Sequence, residues 1–306
     1  MIVNDLRPRG YCHGVARALM MVKKAILDDN LEKPLYILGL IVHNKKIKEA
    51  FEHFNVISLE GKTRLEMVDS IDKGSVILTA HGVSLAVKEK LKEKQIHTID
   101  ATCRDVYKVH DHILAHLDTH EVLYIGKPLH PEVEGVLGLS NEITLIASVD
   151  AALAYVRKTN KPIYITNQTT LSLYDVLSIV DVIKAKYNDV TFDNDICLAT
   201  TKRQDAVIKQ PKADVLIVVG DSLSSNTGKL KEVSIHHQVP SYQIETLDDI
   251  NPLWFKGVSV VNVTSGASTP KAITEEVIRY LKQFDYQKKE TWDHVSKLTY
   301  LDILEL

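Results

Sequence analysis

The residues best suited to chemistry in this 306-residue chain are its three cysteines, Cys12, Cys103 and Cys197. An odd count in a chain of this length is no disulfide framework, and it points to a reducing, cytoplasmic setting. No local C-x-x-C pair is present, which argues against a zinc site or a dithiol redox motif, because both draw on such pairs. Thiolates also hold iron–sulfur clusters, and a [4Fe–4S] cube normally takes four of them. With three, one iron keeps an open position and acts on a bound molecule as Lewis acid and electron donor. Three unrelated buried thiols would satisfy the same count, since free cysteine is among the most buried residue types. The spacing favours a shared role: 91 residues separate Cys12 from Cys103, and 94 separate Cys103 from Cys197.

A second set of candidates lies in polar loops. His43, His81, Ser224, Ser225, Asn226 and Ser268 are donors able to bind an anion. Ser224-Ser-Asn226 and Gly266-Ala-Ser-Thr-Pro270 fall where strands give way to helices, and the free N–H groups there favour phosphate. Glu132, two residues after His130, is a candidate proton donor with hydroxyl neighbours such as Thr169. Glu134 is an equal competitor by chemistry alone. His112, His116 and His120 recur at helical spacing among Asp111, Asp118 and Glu121 with no cysteine nearby, which predicts a solvated helix face rather than a metal site.

The elements that must position these residues repeat along the chain. Each cysteine precedes a helical pattern: Val15, Leu19, Val22 and Ile26; then Val106, Val109, Ile113 and Leu117; then Ala199–Lys209, stopped by Pro211. Each third then carries two apolar strands running into polar loops, Leu35–Gly39 and Val76–Ala80, Val122–Gly126 and Ile163–Thr166, Val215–Gly220 and Val258–Val263. The first loop begins 31, 27 and 27 residues after the cysteine, and the second 69, 66 and 71 residues after it. A further short strand lies between them in each third, at Asn55–Leu59, Ile143–Ala147 and Ser241–Ile244. Strands alternating with helices predict three similar α/β domains with mainly parallel sheets, in pseudo-threefold arrangement about a common pocket. Ligands gather at the carboxyl ends of such strands, where all the polar loops fall. The boundaries are 1–100, 101–194 and 195–285, followed by a tail, 286–306, that suits a short amphipathic helix or an oligomer contact.

Hydrophobic residues make up 45% and charged residues 25% of the chain, with a net charge of −3. That is a globular profile with no electrostatic case for nucleic acid or an anionic membrane as partner. Met1–Gly10 has no apolar core of a secretory signal, and no uncharged apolar run approaches the ~18 residues of a membrane span.

The segments Gly10-Tyr-Cys-His-Gly-Val15, Ile41-Val-His-Asn44, Ala80-His-Gly-Val83, Asp100-Ala-Thr-Cys103, His130-Pro-Glu-Val-Glu-Gly135, Asn167-Gln-Thr-Thr-Leu-Ser172, Asp195-Ile-Cys-Leu-Ala-Thr200 with Arg203-Gln204, Ser224-Ser-Asn226 and Gly266-Ala-Ser-Thr-Pro270 resemble the 4-hydroxy-3-methylbut-2-enyl diphosphate reductase family. The likeness runs in order from residue 1 to about 285 and leaves the tail beyond about 287 uncovered. It implies three α/β domains around one [4Fe–4S] cluster held by Cys12, Cys103 and Cys197, with one open iron. It also implies reductive dehydroxylation of an allylic diphosphate to isopentenyl and dimethylallyl diphosphate, the last step of the non-mevalonate isoprenoid pathway. Electrons would come from an external one-electron donor such as ferredoxin or flavodoxin. By motif, Glu132 would deliver protons, Thr169 would orient the substrate hydroxyl and His130 would assist. His43, His81, His130, Thr169, Ser224, Ser225, Asn226 and Ser268 would bind the substrate. Three positions depart from the family pattern: Arg104 in place of proline, Leu129 in place of glycine and Gly228 in place of asparagine.

Two other readings accommodate three cysteines. A quinolinate-synthase-like enzyme would require carboxylate-binding residues in place of the His-Pro-Glu and Ser-Ser-Asn loops. A non-catalytic iron–sulfur sensor would leave the proton donor and the anion-binding set idle.

Overall fold

The computed structural model describes residues 1–305. Its strands, in chain order, are β1 (Ile2–Asp5), β2 (Leu35–Leu38), β3 (Val56–Leu59), β4 (Ser75–Leu78), β5 (His97–Asp100), β6 (Glu121–Ile125), β7 (Thr144–Ile146), β8 (Ile163–Asn167), β9 (Val190–Phe192), β10 (Val215–Val219), β11 (Ser241–Ile244) and β12 (Val260–Ser265). The helices are α1 (His13–Leu27), α2 (Lys45–His53), α3 (Arg64–Asp69), α4 (Leu85–Glu93), α5 (Arg104–His116), α6 (Pro131–Leu137), α7 (Val149–Ala154), α8 (Leu173–Lys186), α9 (Leu198–Ile208), α10 (Ser225–His236), α11 (Lys271–Gln283) and α12 (Tyr300–Leu304). None is long and apolar enough to cross a membrane among the described residues.

The strands form three four-stranded sheets, ordered β3-β2-β4-β5, β7-β6-β8-β9 and β11-β10-β12-β1. Every pairing is parallel. Three parallel-sheet α/β units are therefore present, as the alternating pattern predicts. The reason lies in the middle strands: β4, β6, β8 and β10 are buried at every position, which needs helices on both faces and so a crossover after each strand. The loops are closed by local caps: Asn44, Ser84, Ser172 and Ser224 each accept the amide of the residue three positions on, worth about 1 kcal/mol apiece.

The three sheets share one plan. In each, an edge strand pairs with the strand that ends in the second polar loop: β5 beside β4, β9 beside β8, β1 beside β12. Each edge strand leads directly to a cysteine. Cys103 thus follows the fourth strand of the first sheet, Cys197 that of the second, and Cys12 that of the third. The sequence pattern shows β1, β5 and β9 only as short strand-like or polar segments before each cysteine, because Ile-Val-Asn-Asp, His-Thr-Ile-Asp and Val-Thr-Phe are short and carry no fully buried residue.

Two compact units result. One comprises Arg17–Ile41 and Asn55–Cys197 and contains the first two sheets; the other comprises Met1–Ala16, Val42–Phe54 and the chain from Leu198 onward, and contains the third. Two pieces of the N-terminal third, bearing β1 and α2, accordingly belong with the last third. The tail forms the short helix α12, with Ile303 and Leu304 buried and α2 and α11 as its neighbours.

The histidine stripe of α5 differs from its expectation. Because α5 packs on β8, His116 stacks face to face on Tyr164 at 3.7 Å, and His112 Nδ1 lies 2.9 Å from the buried carboxylate of Asp195. These rings are half-buried packing and hydrogen-bonding groups, not a solvated face.

Candidate active site

In the unit built on the first two sheets, the strand ends bring Glu132 and Thr169 together. His130 caps α6 by accepting the Glu132 amide on Nδ1 at 3.1 Å, which turns the first helical residues over the end of β6. Glu132 is 1% exposed. Its Oε1 accepts the Thr169 amide at 2.8 Å and its Oε2 accepts the Thr169 hydroxyl at 2.9 Å, with Tyr124 Oη donating at 3.4 Å. Burial pushes the carboxyl up to about 7, against the hydrogen bonds from Thr169 and Tyr124 that pull it down. A carboxyl poised there can both give and take a proton at neutral pH.

Glu134 is held otherwise. Its carboxylate, partly exposed, pairs with the buried guanidinium of Arg64 at 2.7 Å and accepts the Arg64 amide at 3.3 Å. Arg64 also reaches Pro131 O and Thr79 Oγ1. The two glutamates of one turn are thereby separated in kind: one buried against a hydroxyl, the other clamped to a cation. Arg64 is absent from the sequence-derived candidates, since nothing local marks a residue 70 positions away as a partner.

Thr169 ties this acid to a cysteine, because its carbonyl accepts the Cys197 amide at 3.0 Å. The same contact recurs in the first sheet, where the Cys103 amide donates to Ala80 O at 2.9 Å, one residue before His81. In the other unit the Cys12 amide donates to Ala267 O at 3.1 Å, one residue before Ser268. Each cysteine backbone is therefore fixed to the second polar loop of its own sheet. Cys103 stands at the N-cap of α5, with Asp105 3.7 Å from its Sγ, and Arg17 donates to Thr102 O beside it at 2.9 Å. Near Cys197, Asp195 is buried and accepts from Thr166, His112 and Lys108 at 2.8 to 3.0 Å. None of the three cysteines forms a disulfide. All are half-buried at helix starts, where outward N–H groups suit an anionic sulfur. An all-thiol donor set of this kind fits an iron–sulfur cluster. His81 and His130 meet edge to face, their ring centroids 5.4 Å apart.

The unit built on the third sheet gathers the anion-binding candidates His43, Ser224, Ser225, Asn226 and Ser268. Ser268 Oγ donates to His43 O at 3.0 Å and lies 3.4 Å from Ser224 Oγ. Ser224 is the N-cap of α10 and Ser225 its first residue. Asn226 is buried, yet neither its Oδ1 nor its Nδ2 has a hydrogen-bond partner. A buried polar group left so costs about 1–3 kcal/mol and marks a place for a polar ligand. Gly266 allows the two loops to close: a Cβ there would lie 2.0 Å from Thr227 Oγ1. Asp221, another residue that the motifs do not mark, is buried and accepts the Lys45 amide at 2.9 Å, which holds the start of α2 against this loop.

Of the three departures from the family pattern, Leu129 is fully exposed with φ 63°, a left-handed conformation in which glycine carries no penalty. Arg104 is exposed on α5, and Gly228 faces open space on α10.

Residues 3–282 match the family model described as LytB protein. The chain is 46% identical over 308 residues to the 4-hydroxy-3-methylbut-2-enyl diphosphate reductase of Bacillus thuringiensis (strain Al Hakam), covering 99% of this chain and 97% of the relative. It is 45% identical over 295 residues to that of Bacillus subtilis (strain 168), covering 95% and 94%. Among solved structures, the E-1-hydroxy-2-methyl-but-2-enyl-4-diphosphate reductase of Plasmodium falciparum superposes with a TM-score of 0.87 at 30% identity, over 99% of this chain and 98% of that one. A second, an (E)-4-hydroxy-3-methyl-but-2-enyl diphosphate reductase, gives a TM-score of 0.65 at 29% identity over 93% and 100%. The chain belongs to the LytB protein family.

Proposed function

We propose that the chain is a 4-hydroxy-3-methylbut-2-enyl diphosphate reductase. The reaction takes two electrons and two protons, breaks the carbon–oxygen bond of the allylic alcohol, and releases water with isopentenyl or dimethylallyl diphosphate. The observation that carries the chemistry is the buried Glu132 carboxyl, held on both oxygens by Thr169 and poised near neutrality.

Cys12, Cys103 and Cys197 are the proposed ligands of a [4Fe–4S] cluster with one open iron. When bound, that cluster supplies a Lewis-acid position for the substrate hydroxyl and the route for the electrons. The remaining work falls to the chain's own side chains. Glu132 delivers protons, and Thr169 orients the substrate hydroxyl by exchanging its bond to Glu132 for one to the substrate. His130, which caps the helix bearing Glu132, assists. Ser224, Ser225, Asn226, Ser268 and His43, with His81, are the proposed diphosphate set. A mostly neutral donor set and helix N–H groups suit a diphosphate in a buried site, where each hydrogen bond gains strength. The protein operates in the cytoplasm, with ferredoxin or flavodoxin as electron donor, and needs neither nucleic acid nor membrane.

The test is anaerobic reconstitution with iron and sulfide, then assay with the hydroxylated allylic diphosphate and a reduced one-electron donor. A [4Fe–4S] spectrum with turnover supports the reading; absence of both overturns it. Glu132→Gln should bind substrate but lose most turnover, whereas Glu134→Gln should keep most of it. The reverse result would move the proton donor to Glu134.

A further inference from the structure

We infer that the C-terminal segment 299–305 is a strap that holds the Cys12 and His43 loops in register, with Tyr11 as the positioning residue that couples it to Cys12. The inference rests on the proposed roles of Cys12 and His43. The segment lies beyond residues 3–282, the part matched by the family model.

Two contacts carry it. Tyr11 Oη donates to the Ile303 carbonyl at 2.8 Å, and Tyr11 is the immediate neighbour of Cys12. The Tyr300 ring packs against His53 with centroids 4.7 Å apart, and α12 lies along α2, which starts two residues after His43. One five-residue helix therefore grips both the chain before Cys12 and the helix behind His43.

The strap itself is built to hold. A helix of five residues has no stability of its own in water. Here the Thr299 side chain accepts the Asp302 amide at 3.3 Å, while the Asp302 carboxylate accepts the Thr299 amide at 2.8 Å and hydroxyl at 2.7 Å. Leu304 is fully buried, and the backbone turns back at Glu305 in the left-handed conformation that ends helices. Upstream, Ser296 Oγ donates to Glu276 on α11 at 2.9 Å, so the approach to the strap is pinned to the body of the third sheet. The backbone around Cys12 is otherwise fixed from the other side, by Gly10 N to Ser265 Oγ at 2.9 Å and by Arg203 to Gly10 O at 2.6 Å. Removing the strap frees one side of that loop and leaves the sheet intact.

The experiment compares the reconstituted full-length protein with Tyr11→Phe and with a variant lacking residues 298–306, by hydrogen exchange, pyrophosphate binding, the EPR spectrum of the reduced cluster, and the split between KM and kcat. The truncation should raise exchange about tenfold in peptides covering 10–16 and 43–54 while β10 and β12 keep full protection. Its pyrophosphate affinity should fall about tenfold, and its KM should rise by a similar factor with little change in kcat. Tyr11→Phe should raise exchange in 10–16 and at 303–305 only, and should alter the EPR spectrum at full iron content. Unchanged exchange in both loops of the truncated protein overturns the inference, as does loss of protection throughout β10 and β12, which would make the tail a general stabiliser. Should the truncation fail to fold, an unaltered exchange pattern and EPR spectrum in Tyr11→Phe overturns it. Loosened loops in a protein that holds no cluster and turns over no substrate would instead overturn the reductase reading and leave the strap standing.

Discussion

Glu132→Gln is the substitution whose consequences the structure fixes most closely. The carboxyl moves from an ordinary 4.5 to about 7 on folding, because it is withdrawn from water. Its folded form binds the proton more tightly than its unfolded form does. The stability this group contributes is therefore fully present below about pH 4.5 and is lost as pH rises through 7. The displacement corresponds to roughly 3 kcal/mol in all, of which about 2 kcal/mol falls between about pH 5.5 and 8.5. Glutamine is neutral throughout, and its Oε1 can still accept the Thr169 amide. The variant should then gain about 2 kcal/mol on the wild type between those two pH values. The assay is urea denaturation of both metal-free proteins at the two pH values, extrapolated to water. His110 is also displaced, held down to about 4 by burial, but it is common to both proteins and cancels in the difference. A difference that stays constant with pH would show that Glu132 is ionised in the fold and would refute the argument for a neutral proton donor.

Other outcomes follow from the same geometry. Glu134→Gln leaves the buried Arg64 cation without its carboxylate and should cost about 2 kcal/mol in denaturation midpoints, less than a fully buried pair because Glu134 is partly exposed. Leu129→Gly removes a left-handed leucine with no packing to lose, and a net gain of about 0.5–1 kcal/mol should appear in the melting temperature. Gly228→Ala places a methyl in open space on α10 and should stabilise by about 1 kcal/mol, read the same way. Ser268→Ala breaks the bond to His43 O and should weaken pyrophosphate binding about tenfold by calorimetry, at a cost of about 1 kcal/mol in stability.

Much of the fold was legible because its middle strands are apolar runs bounded by polar loops. Val215–Val219 needs only its unbroken apolar run to be recognised, and the helix after Cys12 announces itself through Val15, Leu19 and Val22. The edge strands were legible only as short strand-like or polar segments. His97–Asp100 becomes a strand through pairing with Ser75–Leu78, a partner that no local signal names. For the same reason the assignment of each cysteine to a sheet was hidden: the contiguous thirds group Cys103 with the sheet after it, whereas its edge strand and its amide bond to Ala80 join it to the sheet before. At the candidate site, the sequence narrowed the proton donor to two glutamates and chemistry went no further. What separates them is Arg64, a residue 70 positions away whose guanidinium pairs with Glu134 and leaves Glu132 without a cation. The left-handed backbone at Leu129 was foreshadowed only by the family's glycine there; leucine itself gives no sign of it.

The completion of the third sheet by β1 sets an order on synthesis. The segment from Arg17 to Cys197, apart from Val42–Phe54, holds two whole sheets and can collapse while the ribosome is still making the rest. The first strand must wait. Its partner β12 emerges more than 250 residues later, and so does Ala267, the acceptor for the Cys12 amide. Until then the backbone of Cys12 lacks the partner that fixes it, while Cys103 and Cys197 already have theirs in Ala80 and Thr169.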